Sequence, residues 1–208
     1  PDVLTTMTAR NLRVRSVRMA KQVNIIACIG PNNELGNNGD LCYHIKGDMM
    51  RFRTMTTFKS VIMGRKTWDS LPEKNRPLPY RENIVITRNP DFKPEDGVKV
   101  CSSLIEAIET AEHEHVWIIG GAQIYKLAMQ SGLVDSLFMT HVNIGATCDT
   151  FFPKIDENEW KLASQSGIIT DEKNPDLKYQ FAIWNKKVNE DFLKYKEEPL
   201  PELATEPF

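Results

Sequence analysis

The sequence has few cysteines, little net charge and no long apolar run. Its four cysteines, Cys28, Cys42, Cys101 and Cys148, include no C-x-x-C pair, which argues against a secreted disulfide scaffold and against a zinc ribbon. We therefore expect free thiols in a cytoplasmic protein. The formal net charge of -2 gives no general reason to bind nucleic acid or an anionic membrane. No apolar run approaches the roughly 20 residues that cross a bilayer, so we expect no membrane insertion.

The two ends of the 208-residue chain differ in composition from its middle. Residues 1–21 carry five basic residues and one acid, which is typical of a mitochondrial transit peptide or a flexible basic arm. Met19 immediately precedes the first apolar run, so a plainer alternative is that this segment lies upstream of the natural start or is a processed extension. Residues 189–208 carry six acids, two lysines and three prolines, which predicts a solvated linker or docking arm. Residues 22–188 are then expected to form one folded domain.

Short apolar runs alternate with helical patterns through the middle of the chain. Apolar runs separated by helices are typical of strands buried on both faces of a mainly parallel sheet, with helices on both sides. The predicted strands are 23–29, 61–63, 84–86, 116–119 and 137–140. Ser103 and Glu106 predict a capping box at one helix start, and residues 122–129 predict another helix. Aromatic residues on both sides of a polar turn at 171–176 predict an antiparallel hairpin at the sheet edge.

Asp48 is the first candidate for chemistry. It shares one helix face with Phe52 and Met55, the residues that we expect to face the interior. On its own, an acid at a helix start is more often a cap that accepts backbone N–H bonds. The functional alternative requires a cationic or amidine-like ligand that pairs with the carboxylate.

Two strand-to-helix turns offer backbone N–H groups to a phosphate. The first is Met63-Gly-Arg-Lys-Thr-Trp68, which adds two cations, and the second contains Gly120-Gly121. The alternative for each is an ordinary tight connection. A Walker loop and a G-x-G-x-x-G fingerprint are both absent. Arg81 follows a proline-rich turn and could hold a carboxylate, whereas His113 and His115 lack further ligands nearby, so no metal site is predicted.

Together these segments resemble the dihydrofolate reductase family over roughly residues 22–188. The resemblance depends on the order and spacing of nine motifs and on no single one of them. They are Ile25-Ile-Ala-Cys-Ile29, Leu35-Gly-Asn-Asn-Gly-Asp-Leu41, the helix 48–52, Val61-Ile-Met-Gly-Arg-Lys-Thr-Trp68, Arg76-Pro-Leu-Pro79, Arg81 with Asn83, Ile119-Gly-Gly-Ala-Gln-Ile-Tyr125, Thr140 and Asp149-Thr-Phe-Phe-Pro153. The stretch that begins at Leu71 is similar to the eukaryotic form of the family.

The resemblance implies a single α/β domain with an eight-stranded, mostly parallel sheet, an antiparallel C-terminal edge strand and helices on both faces. It implies reduction of 7,8-dihydrofolate to tetrahydrofolate with NADPH as cofactor, and antifolates as inhibitors. Asp48 would be the catalytic residue and would pair with the pterin ring nitrogen and its 2-amino group. Arg81 would hold the carboxylate of the glutamate tail. The remaining substrate contacts would come from Ile26, Cys28, Met49, Phe52, Leu71, Leu78, Ile119, Tyr125 and Thr140.

The family pattern also implies a cofactor site. Its expected residues are Cys28, Leu35, Gly36, Asp40, Leu41, Gly64, Arg65, Lys66, Thr67, Thr87, Arg88, Gly120, Gly121, Ala122, Gln123, Ile124, Tyr125 and Thr150. Thr87 and Arg88 follow the strand at which the family reads the adenosine 2′-phosphate, and the cluster of cations favours NADPH over NADH. The family's paired glycines imply a cis Gly120-Gly121 peptide.

The chain departs from the family pattern after the mobile loop, where Cys42-Tyr43 replaces the usual Pro-Trp. The change puts loop closure and turnover in doubt. One alternative function is therefore a nucleotide-binding regulatory homologue with weak or no turnover, and another is a reductase of a different pterin or of a pyrimidine intermediate. In some protists the family that this chain resembles is fused to thymidylate synthase, so residues 189–208 could begin such a linker.

Overall fold

The computed structural model describes residues 21–187. Residues 1–20 and 188–208 lie outside this range, so the predicted basic extension falls outside it except for Lys21, and the acidic tail falls outside it entirely. Within residues 21–187, no helix is long and apolar enough to cross a membrane. The same residues contain no group of three His, Cys, Asp or Glu side chains arranged to hold a metal ion.

The fold is a mixed α/β domain built on one large sheet. Its strands are β1 (Gln22–Ile29), β4 (Ser60–Gly64), β5 (Glu82–Ile86), β6 (Lys99–Cys101), β7 (His115–Gly120), β8 (Ser136–Val142), β10 (Trp160–Gln165), β11 (Ile169–Thr170) and β12 (Lys178–Lys186). The helices are α1 (Lys46–Thr56), α2 (Arg65–Ser70), α3 (Leu104–Thr110) and α4 (Ala122–Ser131), with a short 3-10 turn at Glu73–Asn75.

Eight strands follow one another across the sheet in the order β10-β12-β8-β1-β7-β4-β5-β6, and β11 adds a short pairing to β12. The six strands from β8 to β6 are parallel, because apolar runs joined through helices favour that arrangement. β12 is antiparallel to β8 and β10 is antiparallel to β12. The predicted fold class and the C-terminal edge hairpin are therefore confirmed.

Alternation of side chains along β1 divides the interior into two sides. Ile25, Ala27 and Ile29 belong to the core that contains α3 and α4, whereas Ile26 belongs to a second cluster with side chains of α1 and α2. Helices therefore cover both faces of the sheet, as predicted. Ile26 and its neighbours on the second side line the region in which the candidate site lies.

The helix that carries Asp48 begins earlier than the sequence pattern indicates. Its N-cap is Ile45 and its first residue is Lys46, so Asp48 lies in the first turn. The capping box at the start of α3 is confirmed in one half: the Ser103 hydroxyl accepts a hydrogen bond from the Glu106 N–H. The Glu106 carboxylate turns to the backbone and hydroxyl of Ser102 instead.

A second, smaller sheet lies outside the large one and was not predicted. It consists of β2 (Glu34–Asn37), β3 (Asp40–Leu41) and β9 (Thr150–Phe151), in the order β3-β2-β9. Its strands are too short for alternating hydrophobicity to reveal them. Through this sheet, the loop after β1 pairs with β9.

Candidate active site

Asp48 lies buried between α1 and β8. Its side chain is 7% exposed, and its Oδ1 accepts a 2.6 Å hydrogen bond from the hydroxyl of Thr140. Burial raises the pKa of Asp48, and the Thr140 hydrogen bond and the nearby Arg51 guanidinium oppose that rise. The carboxylate therefore does not cap its own helix. A buried carboxylate held by one hydroxyl is suited to pair with a ligand that brings a matching N–H pair.

Arg51 is one helical turn beyond Asp48, and the sequence reasoning missed it. Its Nη1 donates to the carbonyl of Met139 at 3.1 Å, and its guanidinium lies 4.5 Å from the centre of the Phe181 ring. It also lies 5.7 Å from the ring of Phe138. The spacing of three residues from Asp48 was a usable signal, because residues three apart share a helix face. Arg51 therefore places a fixed positive charge beside the candidate site.

Replacing Arg51 by methionine is expected to raise the pKa of Asp48 further. The positive guanidinium stabilises the charged carboxylate and so lowers the pKa of Asp48, whereas burial raises it. Without the guanidinium, the effect of burial on the pKa is larger. A carbon-13 NMR titration of the Asp48 carboxyl measures this pKa directly. Arg53→Met, on the exposed side of the same helix, is the matched control and is expected to leave the titration unchanged. An unaltered Asp48 titration in the Arg51 variant would contradict the electrostatic role.

Most of the apolar residues predicted for the site form one wall. Ile26 and Leu78 are buried, and Phe52, Leu71 and Ile119 are partly buried against the same cluster. Two further predicted residues lie apart from this cluster. Cys28 belongs to a different hydrophobic cluster, and burial together with the nearby Asp48 charge raises the pKa of its thiol. Met49 is 41% exposed. The wall provides apolar surface beside Asp48 for a flat ligand.

Arg81 lies at the outer end of this wall and is half-buried. Its Nε donates to the hydroxyl of Thr56 at 2.8 Å, and its Nη1 donates to the Pro79 carbonyl at 2.8 Å. Its guanidinium lies 5.6 Å from the Phe52 ring. These contacts orient the group and leave further guanidinium N–H groups for a carboxylate.

Tyr125 lies on the far side of the sheet from most of this wall. It is 3% exposed in the core of α3 and α4, and its ring centre lies 5.0 Å from that of Phe152. Its hydroxyl donates to the backbone carbonyl of Ile26 at 2.8 Å. The hydroxyl therefore reaches the strand that carries Ile26, and both the hydroxyl and the ring edge of Tyr125 lie close to Gly120.

The carboxyl ends of β4, β5 and β7 bring three predicted cofactor segments together. Gly64 is paired with Ile86, and Met63 is paired with Gly120, so the turns after these strands are neighbours. Ligands of parallel α/β sheets bind at this edge. The segments contain Gly64, Arg65, Lys66, Thr67, Thr87, Arg88, Gly120, Gly121, Ala122, Gln123 and Ile124.

The two helix starts at this edge fit the phosphates of a dinucleotide. The N-caps of α2 and α4 are Gly64 and Gly121, which have no side chain to cap the helix. The backbone N–H groups of the first turn of each helix therefore remain available for an anion. A Cβ on Gly121 would lie 3.1 Å from Thr67 Oγ1, which shows how closely the two turns approach. The Gly120-Gly121 peptide is cis, as expected. Lys66 and Arg88 are exposed beside these turns.

The loop after β1 supplies the remaining cofactor candidates. Gly36 is paired both with Leu41 and with Thr150 across the small sheet, while Leu35 is buried in the main core. Asp40 is exposed, and its carboxylate lies 3.4 Å from Nε2 of the exposed His44 side chain. The structure thus groups Leu35, Gly36, Leu41 and Thr150, and places Asp40 at the outside of the group.

Tyr43, which departs from the family pattern, is buried beneath this loop. It is 5% exposed, and its hydroxyl donates to the carbonyl of Ile144 at 2.8 Å. Burial raises the pKa of Tyr43 to about 12, so the phenol is neutral near pH 7. The hydroxyl is therefore engaged by the backbone rather than free to hold a water.

Comparisons with known proteins agree on one family. The family model described as dihydrofolate reductase matches residues 22–186. The chain is 37% identical over 180 residues to the dihydrofolate reductase of Heliothis virescens, covering 79% of this chain and 97% of that one. It is 37% identical over 166 residues to that of Bacillus subtilis (strain 168), covering 79% and 95%. A solved dihydrofolate reductase from Enterococcus faecalis, complexed with NADP(H) and RAB-propyl, aligns with a TM-score of 0.70 at 29% identity, covering 80% and 97%.

Proposed function

Because this chain belongs to the dihydrofolate reductase family, we propose that Asp48 anchors the pterin ring of its substrate. The reaction is the NADPH-dependent reduction of 7,8-dihydrofolate to tetrahydrofolate. The buried Asp48 carboxylate, held at 2.6 Å by Thr140, is the observation that carries the proposal. A ring nitrogen and its 2-amino group form the N–H pair that such a carboxylate requires.

The residues of this chain position the substrate and favour its protonation. Asp48 holds one edge of the pterin and contributes negative potential, which makes nitrogen 5 easier to protonate. A carboxylate fixed at that edge does not reach nitrogen 5 on the other side of the ring, so a water delivers the proton. Ile26, Phe52 and Ile119 supply apolar surface that excludes other water and orients the ring. When bound, NADPH supplies the hydride that reaches carbon 6 of the pterin.

The turns at the carboxyl ends of β4, β5 and β7 are proposed to hold the cofactor. Arg65, Lys66 and Thr67 would contact phosphate at the start of α2, and residues 120–124 would contact pyrophosphate at the start of α4. Thr87 and Arg88 would contact the 2′-phosphate. Support comes from the two uncapped helix starts and from the exposed cations beside them.

The direct test is the loss of NADPH absorbance when dihydrofolate is added to the purified chain. We expect turnover with dihydrofolate and much weaker turnover with NADH or with pterins that lack the benzoylglutamate tail. Binding of NADPH without turnover would support a regulatory homologue instead, an alternative that the named relatives do not favour. A substrate panel would identify a reductase of a different pterin.

Replacing Arg81 by leucine is expected to raise KM for dihydrofolate by roughly 10- to 100-fold, because a charge-assisted pair of hydrogen bonds contributes about 1.5–3 kcal/mol. The turnover of a pterin without a glutamate tail is expected to be unchanged. Initial-rate kinetics on both substrates measure the difference. Arg53→Lys, on the neighbouring exposed face of α1, serves as the control. Equal losses on both substrates would contradict a role in tail recognition.

The setting and partners of the enzyme are part of the proposal. Dihydrofolate and antifolates are the ligands of the family, and we propose residues 22–188 as the catalytic unit. The four free cysteines, at 28, 42, 101 and 148, support a reducing compartment such as the cytoplasm.

Residues 1–21 are proposed as an extension, and the localisation of chains with and without these residues would test this. We propose residues 189–208 as a linker or docking arm for thymidylate synthase, and the mass of the natural protein tests this.

A further inference from the structure

Two of the free cysteines lie side by side although they are distant in sequence. The thiols of Cys42 and Cys148 lie close enough to influence each other's pKa, and the Cys42 thiol donates a 3.9 Å hydrogen bond to the carbonyl of Thr147, the residue before Cys148. Both side chains are partly exposed. The other two cysteines, Cys28 and Cys101, are buried in separate hydrophobic clusters. Cys42 also packs against the cluster that contains Cys28, but the Cys28 thiol is buried, so the Cys42–Cys148 pair is distinguished by its access to solvent.

The pair lies where two segments of the small sheet meet. Cys42 follows β3 and Cys148 precedes β9, on either side of β2. The segment that contains Cys148 is otherwise held to the loop after β1 by hydrogen bonds, including a 3.1 Å bond from the Asp149 N–H to the carbonyl of Gly36 in β2. The carboxylate of Asp149 also accepts a 2.9 Å hydrogen bond from the N–H of Asn38. A covalent bond between the thiols would add one strong link to these individually weak contacts.

We propose that Cys42 and Cys148 form a reversible disulfide when the protein meets a small-molecule disulfide, and that this bond fixes the loop after β1 against β9. The loop carries Leu35, Gly36 and Leu41, which we assign to the cofactor site, so the effect on activity rests on the proposed function. A loop that must move for ligands to enter and leave limits turnover when it is held.

The chemistry is two successive thiol–disulfide exchanges. One cysteine thiolate attacks a sulfur of the small disulfide, forming a mixed disulfide and releasing one small thiol. The second thiolate then attacks the cysteine sulfur of that mixed disulfide and releases the other small thiol. The two cysteines lose two protons and two electrons, and the small disulfide is reduced to two thiols. Partial burial and the nearby Glu34 carboxylate raise the pKa of both thiols, so the exchange is expected to quicken as pH rises.

The test uses the full chain treated with glutathione disulfide and then freed of the reagent. We expect peptide mass mapping to identify a Cys42–Cys148 bond and a thiol assay to show two of the four thiols lost. We expect kcat to fall several-fold and to recover fully after dithiothreitol. Cys42→Ser and Cys148→Ser are expected to keep the activity of the reduced protein and to lose the response. Cys101→Ala, which removes a buried thiol elsewhere, is expected to retain it.

Three outcomes would overturn the proposal. Mixed glutathione adducts without a cross-link would show that the thiols cannot meet, and a bond that involves Cys28 or Cys101 would show that the wrong pair reacts. A Cys42–Cys148 bond that forms with kcat unchanged would refute the fixing of the loop. Failure of the proposed function is distinguishable from all three, because the reduced protein would then lack turnover with dihydrofolate before any oxidation.

Discussion

Replacing Asp48 by asparagine is expected to lower kcat/KM for dihydrofolate by roughly 10²- to 10⁴-fold at neutral pH, the range typical of a lost acid–base group. Asparagine keeps the size of the side chain and its hydrogen bond with Thr140, but it removes the negative charge that pairs with the pterin. The dissociation constant for NADPH is expected to stay the same. Steady-state kinetics and fluorescence titration with NADPH measure the two quantities.

The unfolding temperature distinguishes this loss from misfolding. Burial raises the pKa of Asp48 in the folded state, so its contribution to stability is fully present below the unfolded-state pKa and is lost as pH rises through the folded-state pKa. At neutral pH the ionised Asp48 carboxylate is buried, and this burial lowers the free energy of unfolding. Asparagine carries no charge, so the variant is expected to be at least as stable as the parent at neutral pH. Asp91→Asn, in an exposed loop, is the matched control for activity. Turnover equal to that of the parent would refute the role assigned to Asp48.

Replacing Gly120 by alanine is expected to reduce both stability and cofactor affinity. Gly120 has a φ of +124°, a backbone conformation that residues with a Cβ rarely adopt. A Cβ there would also lie 3.4 Å from Thr67 Oγ1 and 3.4 Å from the Tyr125 hydroxyl. Strain of this kind costs about 1–3 kcal/mol, so we expect an unfolding temperature lower by several degrees. The dissociation constant for NADPH is expected to rise about tenfold or more, because α4 begins directly after this turn.

Gly167→Ala is the control for that experiment. Gly167 is a loop glycine with an ordinary φ, and a Cβ there would meet no atom within 4 Å. We expect this variant to match the parent in unfolding temperature and in NADPH affinity. Calorimetry and fluorescence titration of both variants test the prediction. A Gly120 variant that is as stable and binds as tightly as the parent would exclude a requirement for glycine at the turn.

The sequence predicts the large sheet well because its strands carry strong local signals. The run from Val23 to Ile29 is apolar at nearly every position, and a run of that kind fits a strand buried on both faces. The glycine turns at Gly64 and Gly120 follow such strands, and their proximity comes from the parallel register. Asp48 is found for a similar reason, since its apolar helix neighbours indicate an inward face.

The features that escaped prediction are those that depend on long-range packing. The Phe181 ring lies against the Arg51 guanidinium because β12 pairs with β8 in the sheet. No residue close to Arg51 in sequence indicates that pairing. The hydrogen bond from Tyr43 to Ile144 and the contact of Cys42 with Cys148 likewise join segments that the chain keeps far apart. The small sheet is set by a few backbone bonds and leaves almost no compositional trace.

The position of β12 in the sheet has a consequence for how the enzyme matures on the ribosome. β8, which carries Thr140, lies between β1 and the C-terminal strand β12, and β12 places Phe181 against Arg51 beside Asp48. Protein synthesis proceeds from the N-terminus, so a nascent chain that ends before β12 exposes one edge of β8 and lacks the aromatic support of the Asp48 helix. We therefore expect ligand binding to require that β12, the last strand within residues 21–187, has left the exit tunnel, and ribosome-stalled chains that end before β12 should not retain an antifolate.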